Sequence, residues 1–472
     1  MFALDYFETA IVTDAGQSVS YSDLKCLTDK WAASIPPRSL VFLLVGNDLG
    51  SLVSYVACLN HGIVPLMLNE NIDAAILSYL EETYHPFAIY KNGIQIKQSS
   101  NLKSNNPPTL HPDLALLITT SGSTGSPKLV RQSYKNIAAN TASIIEYLKL
   151  DATERPITTL PMNYVYGLSI INTHLTVGAT LLMTKHGIMD REFWKFFAEQ
   201  GATSFGGVPY TYEMLDRLMF FRRKLPSLRT MTQAGGKILP ELHKKFAEYA
   251  AKEGKNFVVM YGAAEATSRM GYLPPDRALD KVGSMGIPIP CGHFELLSDT
   301  AADSNNQTIK QSNNATEGEL VYMGDNVTLG YAECAADLAK GDERGGRYVT
   351  GDMARVDEEG FYYIVGRKKR FLKIFGNRVS LDETERMIKS AFPTVDCACV
   401  GSDDHMRIYL QSDNQTISNQ TIKQLLEDVQ CFVSEKTQLN PSAFEVIEIE
   451  KIPKNASGKT LYSALQNACS AV

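Results

Sequence analysis

Short apolar runs alternate with amphipathic stretches through the first two thirds of the 472-residue chain, and this alternation constrains the fold more than any other feature. Val41–Val45 is apolar, Leu52–Leu59 has the pattern of a helix, and Ile63–Leu68 is apolar again. A strand, a crossover helix and a second strand form a βαβ unit with parallel strands. The pattern therefore predicts an α/β fold.

The same pattern recurs further along the chain and then changes. Leu228–Thr232, Pro240–Tyr249 and Phe257–Tyr261 predict another strand, helix and strand. From about Gly292 the apolar segments become shorter and alternate with polar residues. This change predicts an antiparallel part within the same large domain.

A basic stretch that begins at Gly366 follows a predicted hairpin over 348–366. The residues beyond it carry their own helical and strand patterns, so the stretch is a plausible linker between two folded parts. We therefore predict a large N-terminal domain over 1–368 and a smaller, mobile α+β domain over 369–472.

Composition excludes several classes of function. With 46 basic and 52 acidic residues the formal net charge is −6, which is not the basic field expected of a protein that binds nucleic acid or anionic lipid. The eight cysteines form no CxxC pair, so we expect reduced thiols. The first residues lack the basic segment and apolar run that are typical of a secretory leader, and no apolar stretch approaches the ~20 residues of a membrane span. We expect a cytoplasmic protein that acts on small molecules.

A loop of hydroxyl residues and glycines follows the apolar run Leu114–Ile118. It consists of Thr120, Ser121, Gly122, Ser123, Thr124, Gly125, Ser126, Pro127 and Lys128. Backbone N–H groups, hydroxyls and a lysine suit phosphate oxygens, and glycine allows close approach. A mobile turn is the alternative, but a loop attached to a buried strand favours function. A Walker A loop is excluded because Pro127 precedes Lys128 and Leu129 follows it.

The loop resembles the signature loop of the adenylate-forming superfamily, which contains acyl-CoA and aryl-CoA synthetases. Further matching segments follow in that family's order: Tyr261–Glu265, Gly318–Leu320 with Gly330 and Tyr331, Thr350–Asp352, Gly366 with Arg367, and Pro453–Lys459. Each match alone is weak, but five in order are hard to obtain by chance. The resemblance implies activation of a carboxylic acid by ATP and Mg²⁺.

The resemblance also implies roles for single residues. Catalytic roles fall to Thr124, Lys128, Glu265 and Lys459, and Glu265 would also hold Mg²⁺. Nucleotide binding falls to Thr120, Ser121, Gly122, Ser123, Gly125, Gly235, Tyr261, Gly262, Asp352 and Arg367. Among these, Asp352 would accept hydrogen bonds from the ribose, Tyr261 would stack on adenine, and Lys459 would offset charge as pyrophosphate leaves. Lys369 would be the hinge between the domains.

Leu160–Leu168 resembles the acyl-pocket segment of acyl-CoA and aryl-CoA synthetases. The pocket is expected at Tyr164, Val208, Gly236 and Ala263. Amino-acid-activating members of the superfamily carry an aspartate in this segment, and this chain has none. The expected substrate is therefore a small carboxylic acid that is not an amino acid.

The acyl group would pass to the thiol of coenzyme A, and the phosphopantetheine of a separate acyl carrier protein is the alternative acceptor. Ala264 and Leu129 depart from the family's pattern. For that reason a catalytically weakened nucleotide-binding or scaffold protein is a second hypothesis. Luciferase-like oxygenation of an acyl-adenylate is a third, which no residue distinguishes.

Overall fold

The computed structural model describes residues 1–98, 108–119, 128–297, 316–368, 370–375, 377–412, 419–454 and 460–467. These residues form two compact units. The first contains 1–98, 108–119, 128–294 and 322–348, and the second contains 295–297, 316–321 and the described residues from 349 onward. The predicted hinge Lys369 lies outside the described residues, so the predicted domain boundary stays a prediction.

Helices and strands alternate along the first unit. Up to residue 119 they are β1 (Thr9–Thr13), β2 (Ser18–Ser20), α1 (Tyr21–Ala32), β3 (Leu40–Val45), α2 (Leu49–Asn60), β4 (Val64–Asn69), α3 (Ala74–Tyr84), β5 (Ala88–Lys91), β6 (Ile94–Gln98) and β7 (Leu114–Thr119). Residues 128–297 add β8 (Leu129–Ser133), α4 (Tyr134–Leu148), α5 (Val165–Thr176), β9 (Leu181–Met183), α6 (Arg191–Glu199), β10 (Ser204–Gly207), α7 (Pro209–Arg217), β11 (Thr230–Gln233), α8 (Pro240–Lys252), β12 (Asn256–Tyr261), β13 (Gly271–Tyr272), β14 (Ile287–Pro288) and β15 (His293–Leu297).

The rest of the described chain is richer in strands. It comprises β16 (Glu317–Met323), β17 (Gly330–Ala332), β18 (Arg347–Val356), β19 (Tyr362–Arg367), β20 (Phe371–Ile374), β21 (Asn377–Ser380), α9 (Leu381–Ala391), β22 (Val395–Ser402), β23 (His405–Ser412), α10 (Asn419–Thr437), β24 (Phe444–Glu448) and α11 (Tyr462–Asn467). Among the helices of the described ranges, none has the length and hydropathy needed to cross a membrane.

A seven-stranded sheet organises the first unit, with the strand order β17-β8-β7-β4-β3-β5-β6. β3 runs parallel to both β4 and β5. Its side chains alternate between two core clusters, with Val41 and Leu43 in one and Phe42 and Leu44 in the other. Both faces of the sheet are therefore covered, as a continuous apolar run requires. The predicted βαβ unit and the α/β class are confirmed.

A second sheet of the first unit has the order β10-β11-β12-β13-β14. β10, β11 and β12 are parallel, whereas β13 pairs antiparallel with both neighbours. β11 begins at Thr230 rather than at the predicted Leu228, because Leu228 belongs to the preceding turn, where its N–H donates to the Leu225 carbonyl. The predicted strand, helix and strand are otherwise present.

The second unit contains the predicted antiparallel part. β16, β18 and β19 are neighbours in a four-stranded sheet, and β18 pairs antiparallel with β19. Within the predicted hairpin over 348–366, Gly351 interrupts the apolar alternation of β18. Gly351 has φ +73°, a backbone conformation that glycine adopts without strain, so the strand continues through it.

Residues beyond 370 have a core of their own. β22, β23 and β24 form a three-stranded sheet. α9 and α10 contribute Ile388, Val429 and Val433 to a cluster with residues of this sheet, and all three are fully buried. β23 is antiparallel to β22 and parallel to β24, and this mixture of helices with a mixed sheet agrees with the α+β class predicted for this part.

Candidate active site

Two antiparallel strands frame the predicted phosphate loop. β7 ends at Thr119 and β8 begins at Leu129, and these residues lie opposite each other. Thr120, Ser121, Gly122, Ser123, Thr124 and Gly125 lie outside the described part of the chain, so their roles stay predictions. Leu129 is fully buried in the core cluster that also contains Ala332. Leu129, which departs from the family's pattern, therefore fills part of the core of the first unit.

Lys128 lies at the end of the loop, directly before β8. Its Nζ is 2.6 Å from Glu333 Oε1, and about half of its side chain is exposed. The same Nζ lies 5.8 Å from the centre of the Tyr331 ring. An exposed ion pair of this kind contributes only up to about 1 kcal/mol. Binding of Lys128 to a phosphate stays a prediction.

Glu265 lies on a short helical turn, Ala264–Ala266, after the end of β12. The Tyr331 hydroxyl donates a 2.6 Å hydrogen bond to Glu265 Oε1. Thr328 donates to the Glu265 carbonyl from both its N–H, at 3.0 Å, and its hydroxyl, at 2.9 Å. Backbone and side chain of Glu265 are thus both held, which keeps the carboxylate in one place.

Tyr331 joins two of the predicted catalytic residues. Its hydroxyl donates a hydrogen bond to Glu265. Two cations lie over its ring: Lys128, and Arg344, whose Cζ is 4.6 Å from the ring centre. Burial and then the charge of Glu265 raise the pKa of Tyr331 to about 12, so the phenol stays protonated and keeps donating. The sequence pattern includes Tyr331 in a matching segment but does not predict this role.

The backbone after β12 leaves no space for a side chain at Gly262. A Cβ there would overlap the Ser268 carbonyl oxygen. Tyr261, the last residue of β12, lies edge-on to Phe294 with ring centres 6.4 Å apart. The close approach at Gly262 fixes the turn that carries Glu265. Stacking of Tyr261 on adenine stays a prediction.

Three residues of the predicted nucleotide and acyl sites contact one another. Tyr164 and Val208 directly precede α5 and α7. Gly235 has φ +84°, and a Cβ on it would collide with the Tyr164 hydroxyl and lie 3.1 Å from Val208 Cγ1. Glycine is therefore required at position 235, where the side chains of Tyr164 and Val208 approach the backbone. Of the two other predicted pocket residues, Gly236 lies against Pro209, and Ala263 directly precedes the turn of Glu265.

Asp352 and Arg367 form a cross-strand pair in the second unit. They lie opposite each other on β18 and β19, and Arg367 Nε is 3.5 Å from Asp352 Oδ1. Thr350 accepts a 3.0 Å hydrogen bond from the Asp352 N–H and donates to the Leu320 carbonyl. The two predicted nucleotide-binding residues are thus adjacent. Contact with a ribose stays a prediction.

The metal prediction fits the donors present. Among the described residues no cluster of three His, Cys, Asp or Glu side chains could hold a metal ion. Mg²⁺ bound through one or two carboxylates and substrate phosphates needs no such cluster, and Glu265 provides a carboxylate that contacts Tyr331, as Lys128 does. Lys459, the fourth predicted catalytic residue, lies outside the described part of the chain.

A profile of the AMP-binding enzyme family matches residues 5–332. Among curated relatives, an indoleacetate–CoA ligase of Aromatoleum aromaticum is 28% identical over 364 residues, which cover 75% of this chain and 67% of the relative. A 2-succinylbenzoate–CoA ligase of Listeria innocua is 25% identical over 475 residues, which cover 96% of this chain and 94% of the relative.

The fold is similar to that of o-succinylbenzoate CoA synthetase from Bacillus subtilis, whose structure contains an acyl-adenylate intermediate. The TM-score is 0.78 at 21% identity, over 97% of this chain and 95% of the other. The matched profile spans the segment of the predicted signature loop as well as Glu265 and Tyr331. The chain belongs to the AMP-binding enzyme family.

Proposed function

We propose that this chain is an AMP-forming acid–thiol ligase, which activates a carboxylic acid with ATP and transfers the acyl group to coenzyme A. The observation that carries the proposal is the meeting of Lys128 and Glu265 at Tyr331, next to the strands that frame the signature loop. A cation and a carboxylate fixed beside a phosphate loop are what magnesium-ATP requires. The curated relatives are named as CoA ligases.

In the first step a carboxylate oxygen of the acid attacks the α-phosphorus of ATP. The P–O bond to the leaving group breaks, and acyl-AMP and pyrophosphate form. Lys128 and Lys459 offset the negative charge that builds up on the phosphates. Asp352 accepts hydrogen bonds from the ribose hydroxyls. Mg²⁺, held by Glu265, would neutralise charge on the phosphate oxygens.

In the second step the sulfur of the thiol attacks the acyl carbonyl carbon. A C–S bond forms, the C–O bond to AMP breaks, and the thiol proton passes to solvent. Rotation about Lys369 would let one site serve both steps. We take coenzyme A as the acceptor because the relatives are named for it, and a carrier protein remains the alternative. We also place the protein in the cytoplasm, where both are available.

The acid is not an α-amino acid, because Leu160–Leu168 contains no aspartate to pair with an ammonium group. The relatives' names do not select among other acids. Indoleacetate is a monoacid, and 2-succinylbenzoate carries two carboxylates. The substrate class must therefore follow from this chain's own pocket.

Acid-dependent exchange of labelled pyrophosphate into ATP tests the first step. We expect exchange with members of a broad carboxylate panel and a loss of about 100-fold in Lys459→Ala, as for removal of a group that stabilises transition-state charge. Lys451→Ala, which alters an exposed lysine in the same stretch, should remain near wild type. Wild-type protein that binds ATP yet exchanges with no acid would favour the scaffold hypothesis.

The acceptor is tested by adding coenzyme A to the enzyme after adenylation. We expect the acyl-CoA thioester and AMP to appear together by mass spectrometry. Accumulation of acyl-adenylate without consumption of coenzyme A would instead favour a carrier protein.

A further inference from the structure

An arginine is fully buried in β8, the strand that begins directly after the predicted phosphate loop. The side chain of Arg131 is 0% exposed, and the two residues before it, Leu129 and Val130, are buried and apolar. Burying a guanidinium is unfavourable unless its charge and its N–H groups are paired. The contacts of Arg131 therefore have to offset this cost.

The guanidinium of Arg131 is paired at every nitrogen. Its Nη2 contacts the carboxylate of Glu343, which balances the charge. The other N–H groups donate to backbone carbonyls: Nε to Tyr331 at 3.0 Å, Nη1 to Lys340 and, at 3.2 Å, to Gly341, and Nη2 to Leu329 at 3.3 Å. One acceptor for Nε and two for each Nη match the five donors of a guanidinium. Arg131 thus joins β17 to residues 340–343.

A glycine makes room for this ion pair. Gly330 lies opposite Arg131 in the pairing of β17 with β8 and has φ +136°. A Cβ at this position would lie 2.7 Å from Glu343 Oε2 and 2.8 Å from Arg131 Nη2. The Glu343 N–H also donates to the Leu329 carbonyl at 2.8 Å. The ion pair therefore lies directly against the backbone of β17.

Arg131 holds the same stretch of chain that holds Glu265. Thr328 donates to the Glu265 carbonyl, and the Tyr331 hydroxyl donates to the Glu265 carboxylate. Arg131 in turn donates to the carbonyl of Tyr331 itself. The second segment that Arg131 holds is followed directly by Arg344, which lies over the Tyr331 ring. Two stretches of chain that meet at Tyr331 are thus both bound to one guanidinium.

We propose that Arg131 is a positioning residue for adenylation: it fixes Tyr331 and, through the Tyr331 hydroxyl, places the Glu265 carboxylate where magnesium-ATP binds. The inference rests on the proposed function. Because its side chain is fully buried, Arg131 acts through Tyr331 and not by contact with the substrate. The position of the carboxylate matters because Mg²⁺ demands a nearly ideal coordination geometry.

A role in the fold alone is the alternative, since an unpaired buried carbonyl would also destabilise the protein. The two roles predict different results once the Tyr331 hydroxyl is absent. If Arg131 acts through this hydroxyl, its replacement has little further effect on nucleotide binding in Tyr331→Phe. If Arg131 supports only the fold, the effects of the two substitutions multiply, as they do for independent sites.

The test measures the Kd of magnesium-ATP by calorimetry for wild type, Arg131→Lys, Tyr331→Phe and the double variant. Lysine keeps the charge but has only three N–H donors for the five acceptors. We expect each single variant to raise the Kd about tenfold, and the double variant to remain near tenfold where independent effects would give about 100-fold. The Kd of AMP in EDTA, which involves no metal, should stay as in wild type.

Arg155→Lys is the matched control. Arg155 lies in the same unit, is partly buried, and donates from Nε to the Gln200 carbonyl at 2.7 Å. Its replacement should lower the free energy of unfolding and leave the Kd of magnesium-ATP unchanged. An Arg131→Lys protein with the Kd of wild type, or a double variant near 100-fold, would overturn the inference and leave the proposed function standing.

If Arg131→Lys does not fold, Glu343→Gln takes its place, because the Glu343 side chain is 46% exposed. It leaves the carbonyl contacts of Arg131 and weakens only the charged one, so we expect the Kd to rise about threefold, and not to rise further in Tyr331→Phe. No rise overturns the inference.

The same measurements separate this inference from the proposed function. Wild type that binds magnesium-ATP yet exchanges pyrophosphate with no acid refutes the proposed function, and the Kd values then still decide the role of Arg131. Wild type that binds no magnesium-ATP overturns both.

Discussion

The Tyr331 hydroxyl is the smallest feature on which the candidate site depends, because it alone holds the Glu265 side chain in the contacts described. We expect Tyr331→Phe to raise the KM for magnesium-ATP about tenfold, since a hydrogen bond to a charged group contributes about 1.5–3 kcal/mol. Steady-state kinetics with magnesium-ATP as the varied substrate measures this change.

Tyr322→Phe is the control for Tyr331→Phe. It removes another buried hydroxyl, which donates to Asn326 Oδ1 at 2.8 Å. Its effect should fall on the free energy of unfolding and not on the KM. If the two variants change the KM equally, Tyr331 supports the fold alone.

A buried histidine makes stability depend on pH. His243 Nε2 lies 2.9 Å from the Ala278 carbonyl, and Nδ1 accepts from the Gly283 N–H at 3.3 Å. Burial lowers its pKa from 6.5 to about 4. Between these values the unfolded chain binds a proton that the folded chain does not, so stability falls as the pH drops from 6.5 to 4.

Denaturant unfolding across this pH window tests the dependence. We expect His243→Gln to flatten the curve by up to about 3 kcal/mol. The exposed His61 provides the control His61→Gln, which should leave the slope as in wild type. A slope unchanged in His243→Gln would show that other groups cause the acid sensitivity.

The residue scale also shows how far the sequence could predict the site. Glu265 and Lys128 are predicted because each stands in a recognisable segment, and the structure places both at Tyr331. The role of Tyr331 is not predicted, although this residue stands in a matching segment. Its contacts with Glu265 and Lys128 join residues that lie far apart in the sequence, so no local pattern shows them.

At the scale of elements, the turn between β12 and β13 carries both Glu265 and Arg269 and depends on Gly262. A Cβ at this position would overlap the Ser268 carbonyl oxygen and lie 3.1 Å from Arg269 Cα. The turn would have to open and move both side chains. We expect Gly262→Ala to lower kcat/KM about 100-fold for every acid, since small displacements in an active site have effects of this size.

Gly187→Ala is the control variant for Gly262→Ala and is measured by the same kinetics. A Cβ at Gly187 meets only Asp190 Oδ2, at 3.9 Å, which is ordinary contact, so this variant should behave as wild type. A Gly262→Ala enzyme with full activity would mean that the turn tolerates a side chain and that its close approach has no role in catalysis.

Elements were predictable where burial alone determines them. β3 is apolar at every position and covered on both faces, so its sequence pattern and its structure agree within one residue. β18 was less predictable, because Gly351 and Asp352 break the apolar pattern while the ladder with β19 continues through them. Pairing with β19 determines that these residues form a strand, although their local pattern does not favour one. The sequence of the β18 segment alone does not indicate this partner.

At the scale of the whole molecule, the two compact units have separate cores. Ile137 is fully buried in a core cluster of the first unit, and Ile388 is fully buried in that of the second. The second unit also includes residues before 369, which strands β16, β18 and β19 supply. Strand pairing over such separations leaves no local signal in the sequence.

Separate cores predict separate unfolding events, since a compact unit with its own core unfolds cooperatively. We expect differential scanning calorimetry to resolve two transitions. Ile388→Ala should lower one of them and Ile137→Ala the other, each by about 2–5 kcal/mol for loss of a buried aliphatic side chain. The two variants control for each other, because they remove the same atoms from different cores. A single transition that both variants lower equally would show that the cores unfold as one.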